Sequence, residues 1–256
     1  MKMPNRAVLL VIILSLITTN LAFTQDIQVA EEREQDKSKL EGARPDLPGV
    51  LGFDLGFVMA PQLPEEMDVQ FWPSFYFRGF YKWDLYLGNS NFSIHPGISV
   101  ASETYTFKDT ITIASVPGDN GYETQVVGLS TVLGPDDILK RSQFNPVYFG
   151  IPIEFTYRTN KELPRKGFKI TVGVNIDLRV DSKTKIKYKE DGHNKRLKEK
   201  EKYDLSWYRI NLTGRFGYGS IALFYNYSLT PLFDGDKGPF GTTAQPMSFG
   251  ISLDLF

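Results

Sequence analysis

Three stretches near the C-terminal end decide the fold: residues 208–218 (YRINLTGRFGY), 221–229 (IALFYNYSL) and 247–255 (MSFGISLDL). In each of them apolar and polar side chains alternate with a period of two, the pattern of a β-strand with one apolar and one polar face. A glycine turn at residues 217–220 joins the first two stretches, and a longer segment rich in Gly, Pro and Asp, residues 234–246, precedes the third. Strand, short turn, strand, long loop and strand predict the closing part of an antiparallel barrel.

The same alternation occurs in five stretches nearer the N-terminus. They predict strands at Gly49–Met59, about Trp72–Leu87, Phe92–Glu103, about Leu139–Tyr157 and from Phe168 to about Tyr188. Residues 109–139 are too long for a plain connector and are expected to contain a small hairpin or a helical turn. Residues 191–204 are expected to form a charged loop. Together with the three closing stretches, these strands predict a barrel of eight, an even number as in outer-membrane barrels.

Connection lengths predict the orientation of the barrel. The links after the second, fourth and sixth strands are short, whereas most of the others are longer. Outer-membrane barrels place short turns in the periplasm and long loops outside. Both chain termini are therefore predicted to be periplasmic.

The N-terminal part predicts two segments that precede the barrel. Residues 1–24 have a positively charged start, an apolar run and small residues before a plausible cleavage site, which predicts a secretory signal peptide. The alternative is a retained membrane helix, but the apolar run at residues 7–18 has only twelve residues, fewer than the ~20 that a spanning helix needs. Residues 25–48 are polar and are predicted to be a flexible periplasmic lead segment. Residues 49–256 remain as the barrel domain.

Composition excludes several classes of function. The chain has no cysteine, which excludes disulfides, thiol-linked lipid anchors and thiol nucleophiles. Its formal net charge of −1 argues against a nucleic-acid partner. His95 is expected to be packed or hydrogen-bonded in the interior, His193 lies in the charged loop, and no serine is expected in a Ser/His pattern. The sequence therefore predicts no enzyme, with no catalytic, cofactor-binding or metal-binding residues.

The alternation gives each strand two faces without saying which one points outward. In a soluble, lipocalin-like barrel the apolar face would line the interior. However, an eight-stranded barrel has an interior just wide enough for side chains to fill, and the large apolar side chains are too numerous to fit there. The sequence therefore predicts an all-β fold, an eight-stranded antiparallel up-and-down transmembrane β-barrel in the cell outer membrane, with its apolar face against outer-membrane lipids.

The polar faces then point inward and carry charges of both signs. The residues predicted to line the interior are Asp54, Arg78, Lys82, Asp84, His95, Glu103, Glu154, Arg158, Lys169, Asp177, Arg179, Arg209, Arg215 and Asp254. Charges in so narrow a space must be paired or hydrated. One interpretation is a salt-bridged network that closes the interior; the other is a thin hydrated conduit lined by mixed charges.

Three parts of the chain resemble the small porin-like outer-membrane β-barrel proteins of the Bacteroidetes type. They are residues 92–98 (FSIHPGI), residues 150–155 (GIPIEF), and residues 215–219 (RFGYG) followed by 227–230 (YSLT). The resemblance covers residues 49–256. It implies an eight-stranded barrel in a Gram-negative envelope, architectural rather than catalytic motifs, and the barrel-assembly machinery as a partner during biogenesis.

The charged loop carries a separate hypothesis. Lys195, Arg196, Lys198 and Lys200 are close together in the sequence, with Glu199 among them. One interpretation is a solvated hairpin of alternating charge. The other is that ammonium and guanidinium groups contact the phosphates of lipopolysaccharide around the barrel rim.

These observations predict a monomeric integral outer-membrane barrel with a structural or surface-interaction role and an interior closed by a charged network. One alternative is a narrow porin-like channel for small solutes. Another is an accessory component of a secretion or envelope-assembly machine, with contacts through residues 25–48.

Overall fold

The computed structural model describes residues 49–118, 121–131, 133–134, 137–160 and 166–255. The predicted signal peptide (residues 1–24) and the predicted lead segment (residues 25–48) lie outside the described residues. The chain from Pro48 onward forms one compact unit.

The described residues form twelve strands and four short 3-10 helices. The strands are β1 (Val50–Met59), β2 (Val69–Lys82), β3 (Leu85–Tyr86), β4 (Phe92–Phe107), β5 (Ile111–Gly118), β6 (Gly121–Gly128), β7 (Ile138–Arg158), β8 (Phe168–Glu190), β9 (His193–Lys200), β10 (Tyr208–Tyr218), β11 (Ile221–Ser228) and β12 (Met247–Asp254). The 3-10 helices are Glu65–Met67, Leu129–Thr131, Gly235–Lys237 and Pro239–Gly241.

Eight of these strands close into a ring. Their order is β1-β2-β4-β7-β8-β10-β11-β12, every neighbouring pair is antiparallel, and β12 pairs with β1 from Gly52↔Asp254 to Met59↔Met247. The ring follows the chain order, so the predicted eight-stranded antiparallel up-and-down barrel is confirmed. No strand of the ring has a free edge along its whole length, which removes the unpaired backbone groups that an open sheet would expose.

The two ends of the ring differ in the length of their connections. At the short-turn end the strands are joined by residues 83–91, 159–167 and 219–220, and at the long-loop end by residues 60–68, 108–137, 191–207 and 229–246. Val50 and Asp254, the outermost residues of the first and last strands, both lie at the short-turn end, because Val50 pairs with Lys82 and Gly52 with Asp254.

The second strand is interrupted where the sequence predicted a continuous one. The second strand was expected to continue to Leu87, but β2 ends at Lys82 and the short strand β3 continues in the same register. The break lies opposite Pro96, whose carbonyl accepts from the Trp83 N–H at 2.8 Å. Proline has no N–H to donate in return, so the ladder is interrupted there.

The long loops carry their own strands. The segment 109–139 contains the antiparallel hairpin β5–β6, as expected. Residues 191–204 were predicted as a loop, which is wrong for most of the segment, because β9 pairs with β8 from Lys183↔Lys200 to Glu190↔His193. Asp191 and Gly192 have φ of 48° and 81°, and they form the two-residue turn that joins the strands.

Large apolar side chains cover the outside of the ring. On β8, Phe168, Ile170, Val172, Val174, Ile176 and Leu178 are 38–56% exposed. Between them, Lys169, Thr171, Asn175 and Asp177 point inward and are 1–7% exposed. A surface of this kind requires an apolar surrounding. Within the described parts of the chain, no helix is long and apolar enough to span a bilayer.

Candidate functional site

The centre of the barrel interior is an ion cluster built on Arg215. Its Nη1 and Nη2 donate to Oδ1 and Oδ2 of Asp54 at 2.5 and 2.9 Å, and its Nε donates to Oε1 of Glu154 at 3.3 Å. Lys82 donates to the other oxygen of Glu154 at 2.8 Å. These four side chains come from β10, β1, β7 and β2, so the cluster connects opposite walls of the barrel. The Asp54 side chain is 0% exposed and that of Arg215 is 3% exposed.

Aromatic and polar neighbours surround this cluster. The ring of Phe80 lies 4.1 Å from Nζ of Lys82 and 5.1 Å from Cζ of Arg215, measured to the ring centroid. Arg78 approaches Asp54 at 3.8 Å and donates to the hydroxyl of Tyr76 at 2.6 Å. The carboxylates therefore face several donors, as buried charges require.

A second cluster lies closer to the long-loop end. Arg209 makes a two-pronged ion pair with Glu103, in which Nη1 donates to Oε2 at 3.1 Å and Nη2 to Oε1. The hydroxyl of Tyr105 donates to the same Oε2 at 2.8 Å, and the Arg209 guanidinium lies 4.2 Å from the centroid of the Tyr148 ring. Asp177 is paired differently, because it accepts from the amides of Asn175 and Asn211, each at 2.6 Å.

Lys169 and Arg179 lie apart from these two clusters. Lys169 forms an ion pair with Asp254 near the short-turn end. Arg179 was predicted to belong to the interior charge network, but it is only half-buried and its Nη1 donates to the backbone carbonyl of Lys202 at 2.5 Å. The predicted inward charges are thus distributed over several separate groups rather than one continuous network.

A row of close polar contacts at the short-turn end has the composition of a catalytic triad. Nδ1 of His95 lies 2.5 Å from Oδ1 of Asp84, and its Nε2 lies 2.8 Å from Oγ of Ser93. The absence of a Ser/His pattern was therefore wrongly predicted. Ser93 and His95 share one face of β4, and Asp84 reaches them from the neighbouring segment. Hydrolases use the same three residue types to activate a serine.

The surroundings of Ser93 argue for a structural role. Ser93 is 1% exposed and His95 is 3% exposed, so a substrate has no access to the hydroxyl. In addition, Arg158 donates to Oγ of Ser93 at 2.7 Å, which occupies the oxygen that would attack. We interpret these contacts as structural, because they connect β4 to β7 and to the segment before β3.

A fluorophosphonate probe tests this interpretation. We expect no labelling of the folded protein, because the buried Ser93 hydroxyl cannot reach the reagent, and intact-protein mass spectrometry would measure it against a known serine hydrolase. Labelling that disappears in both Ser93→Ala and Asp84→Asn would instead identify a functional triad.

An apolar layer closes the long-loop end of the interior. We call it the cap; it consists of buried side chains from the upper strands and from the long loops. Its members are Val58, Ala60, Met67, Tyr76, Ala101, Tyr105, Phe107, Ile113, Phe144, Tyr148, Tyr203, Leu205, Phe224, Leu232, Phe233 and Ala244. Phe233 is 0% exposed, and the rings of Phe144 and Tyr203 meet edge to face with centroids 5.6 Å apart.

Hydrogen bonds hold the loops of the cap together. The backbone N–H and the hydroxyl of Thr124 both donate to Oδ2 of Asp204 at 3.0 Å, which ties the β5–β6 hairpin to residues 202–206. The hydroxyl of Ser206 contacts the carbonyls of Pro231 and Phe233, each at 2.9 Å. The cap is therefore a packed layer and not a set of separate loops.

One small cavity lies inside the barrel, and a larger pocket lies at its surface. A cavity between the ion clusters and the cap has a volume of about 10 Å³ and is lined by Tyr76, Arg78, Glu103, Arg209, Asn211, Asn226, Pro246, Met247 and Ser248. It has room for about one water molecule. A larger pocket of about 520 Å³ lies at the surface, where the upper ends of β1 and β2 separate around Pro61 and Phe71.

The four residues predicted to contact lipid phosphates all lie on β9. Arg196, Lys198 and Lys200 share one face of the β8–β9 hairpin, whereas Lys195 lies on the opposite face and forms an ion pair with Glu190. The sequence predicts no metal site and no cofactor site, and this stays a prediction. Among the described residues, no group of three or more His, Cys, Asp or Glu side chains is arranged to hold a metal ion.

Comparison with known proteins supports the architecture described above. The family model described as "Outer membrane protein beta-barrel domain" matches residues 48–234, well over half of the chain. No curated protein and no solved structure matches this chain.

Proposed function

This chain belongs to the outer membrane protein β-barrel domain family, and we propose that within this family it is a closed, non-conducting barrel with a structural or surface-interaction role. In this role the barrel anchors the long loops and the cap in the envelope, and the loops make the contacts. The family places the protein in the outer membrane. The proposal concerns what the barrel does there.

The blocked interior carries this proposal. Arg215, Asp54, Glu154 and Lys82 connect four strands across the middle of the ring, and the cap fills the space above them. A permeating ion would have to break buried ion pairs and then pass an apolar layer. Barrels with open aqueous channels have about sixteen strands or more, so an eight-stranded ring leaves no spare width for a path around the side chains.

The narrow-channel alternative finds less support. A hydrated conduit needs charged groups that face water, yet Arg78, Glu103, Glu154 and Arg209 are each 3% exposed or less. Their polar atoms are directed at one another. The cavity of about 10 Å³ between the ion clusters and the cap is too small for a continuous file of water.

We further propose that the long-loop end faces the outside of the cell and that both termini are periplasmic. Connection lengths support this orientation, since outer-membrane barrels have short periplasmic turns and longer outer loops. The barrel is proposed to act as a monomer. A role as an accessory of a secretion or assembly machine stays a prediction, because residues 25–48, which would carry those contacts, lie outside the described residues.

Planar-bilayer recording tests the closed barrel. We expect the purified, folded protein to produce no discrete current steps in concentrated KCl, because the ion clusters and the cap block the interior. A general porin in the same membrane shows that the assay detects an open barrel. Heat-modifiable mobility on a gel confirms that the sample is folded.

Regular openings with a defined reversal potential under a salt gradient would contradict the proposal and support the narrow channel instead. To assign such a current to this interior, Glu103→Gln should change its ion selectivity, since this carboxylate borders the remaining cavity.

A further inference from the structure

The β8–β9 hairpin has a strongly basic face that the closed barrel does not explain. Residues directly opposite each other on paired strands share a face. Three such pairs put two cations side by side: Lys183 with Lys200, Lys185 with Lys198, and Lys187 with Arg196. Lys189 lies on the same face opposite Asn194, and Arg141 of β7 lies opposite Lys187. The basic face therefore consists of Arg141, Lys183, Lys185, Lys187, Lys189, Arg196, Lys198 and Lys200.

Acidic residues of the hairpin lie mostly elsewhere. Glu190 and Glu199 are on the opposite face, where Glu190 pairs with Lys195. On the basic face, Asp181 lies at the base and approaches Lys200 at 3.3 Å. Like charges directly opposite each other destabilise a strand pair. The hairpin thus carries most of its acidic residues on one face, and the repulsion between the opposed cations on the other face is largely uncompensated.

The ionisation of Lys185 reflects this crowding. Partial burial, followed by the neighbouring charges of Lys187 and Arg196, lowers the pKa of Lys185. On the opposite face, the hydrogen bond and charge of Glu190 raise the pKa of Lys195. Around Lys185 the basic face thus has only cationic neighbours, whereas Lys195 on the other face has an acidic partner.

A β-bulge determines where the basic face points. Below Val180 the even-numbered residues of β8 face outward, but the pairing with β7 shifts between Tyr148↔Arg179 and Val147↔Asp181. Above the bulge the even-numbered Ser182, Thr184 and Ile186 are buried at 5%, 2% and 2% exposure, so the odd-numbered lysines face outward. The basic face continues the same surface that carries the apolar side chains below.

The inner face of the hairpin is fixed to the cap. The hydroxyls of Thr184 and Tyr203 are 3.0 Å apart, and the Tyr203 hydroxyl also donates to the carbonyl of Glu199 at 3.1 Å. Tyr203 is 1% exposed and contacts Phe144. The outward direction of the cations is therefore held by packing.

The height of the cations follows from the strand geometry. Leu178 pairs with Tyr208, and the neighbouring Trp207 is 63% exposed, so these aromatic rings mark the upper edge of the apolar surface. With a rise of about 3.3 Å per residue and a tilt of about 40°, Lys183 lies about 12 Å beyond Leu178. Lysine side chains are long and flexible, so the lower cations can reach headgroups while the upper ones extend above them.

We propose that the basic face binds phosphate groups of an anionic glycolipid in the surrounding leaflet, with phosphorylated lipid A as the chemistry it fits. The outward Leu178 and Val180 below the face would contact its acyl chains, and the opposed cation pairs would contact its phosphates. Arg141 and Arg196 flank Lys187 on the two neighbouring strands. Their guanidinium groups offer planar, two-pronged donors for phosphate oxygens, and the lysines add charge.

This proposal rests on the long-loop end facing the lipid leaflet that contains such glycolipids. A soluble polyphosphate shares the phosphate chemistry but has no acyl chains to use the apolar surface below. Lys195, which the sequence grouped with the other three cations, is outside the proposed site because it points the other way.

The experiment measures binding of bisphosphorylated lipid A to the full-length mature protein in phosphatidylcholine nanodiscs. The test variant is Lys185→Gln, Lys187→Gln, Arg196→Gln and Lys198→Gln together, and the matched control is Lys195→Gln on the other face of the same hairpin. Each juxtamembrane cation contributes to the affinity for the anionic lipid, so removing four of them is expected to weaken binding about 100-fold. The control is expected to stay within about twofold of the wild type, since Lys195 already has an acidic partner.

Equal binding by the variant with four substitutions and by the wild type would overturn the proposal. A loss of binding in Lys195→Gln as large as in that variant would also overturn it, because the attraction would then be unspecific. Soluble tripolyphosphate and dephosphorylated lipid A provide the second arm. We expect each of them to bind at least about 10-fold more weakly than bisphosphorylated lipid A. Tripolyphosphate that binds as tightly as lipid A would overturn the assignment to a lipid.

Folding of the variants is checked by heat-modifiable mobility. The glutamines remove repulsion between opposed cations, so the fold is expected to persist. The double variant Lys185→Gln with Lys198→Gln, which removes one opposed pair, provides a smaller change and is expected to weaken binding about 10-fold. Lipid binding and conductance are separate measurements. A failure of the lipid-binding proposal therefore does not contradict the closed barrel, and an observed conductance does not contradict lipid binding.

Discussion

Arg215→Met is expected to lower the free energy of unfolding by about 3–5 kcal/mol, the cost of leaving buried carboxylates without their partner. Arg215 donates to both oxygens of Asp54 and to Glu154, and all three side chains are 3% exposed or less. Methionine fills similar space but donates no hydrogen bond. Among the described residues, the one cation close to Asp54 would then be Arg78, at 3.8 Å. The midpoint of urea unfolding in lipid vesicles measures the loss.

Two further variants separate this effect from a general intolerance to substitution. Lys169→Met removes the ion pair with Asp254, whose side chain is 22% exposed, so water can replace the lost partner and the loss should be about 1 kcal/mol. Arg215→Met with Asp54→Asn removes the charge on both sides of the main pair. It is expected to recover at least about 1 kcal/mol of the loss from Arg215→Met alone. A double variant as unstable as the sum of the two single variants would contradict a direct coupling.

The sequence predicted the barrel because strand alternation is a local property. On the lower part of β8, for example, apolar outward residues alternate with polar inward residues. The two faces can therefore be recognised without knowing what lies across the barrel. The strand count followed from the same pattern and the turn residues. The closing order needed no further information, since neighbours in the ring are also neighbours in the chain.

The partners inside the barrel could not be predicted in the same way. Arg215 and Asp54 are 161 positions apart in the sequence, and their strands are separated in the ring by two others. Which inward charges meet depends on the stagger of the strands, which a period of two does not determine. The sequence could list the charges that point inward, but it could not sort them into the Arg215 and Arg209 clusters.

The cap was missed for a different reason. Phe224 lies between Ala222 and Asn226 on the inward face of β11, so an aromatic residue in a polar row was visible, yet no partner for it could be named. Its environment comes from loops that return over the interior, such as the one that contributes Phe233. The strand β9, in contrast, was within reach, because Asp191-Gly192 between two stretches of alternating residues is a typical hairpin turn.

The seam between the first and last strands gives the second large effect, expected from Gly250→Val. Gly250 pairs with Gly56 where β12 meets β1. A Cβ atom at position 250 would lie 2.2 Å from the carbonyl oxygen of Leu55 and 2.5 Å from Cα of Gly56, both backbone atoms that no side-chain rotation can move away. The two strands would have to separate, and backbone groups that lose their ladder partners in lipid cost several kcal/mol.

We therefore expect Gly250→Val to lower the free energy of unfolding by about 3 kcal/mol or more and to leave much of the protein unable to close. The fraction with heat-modifiable mobility after refolding into lipid vesicles measures closure. Gly214→Val is the matched control, because Gly214 lies mid-strand on β10 and a Cβ atom there meets no other atom within 4 Å. The same substitution should then be tolerated at Gly214 and not at Gly250, since only at Gly250 does the added side chain meet the backbone of a paired strand. Comparable refolding of the two variants would mean that the close contact at Gly56 and Gly250 does not control closure.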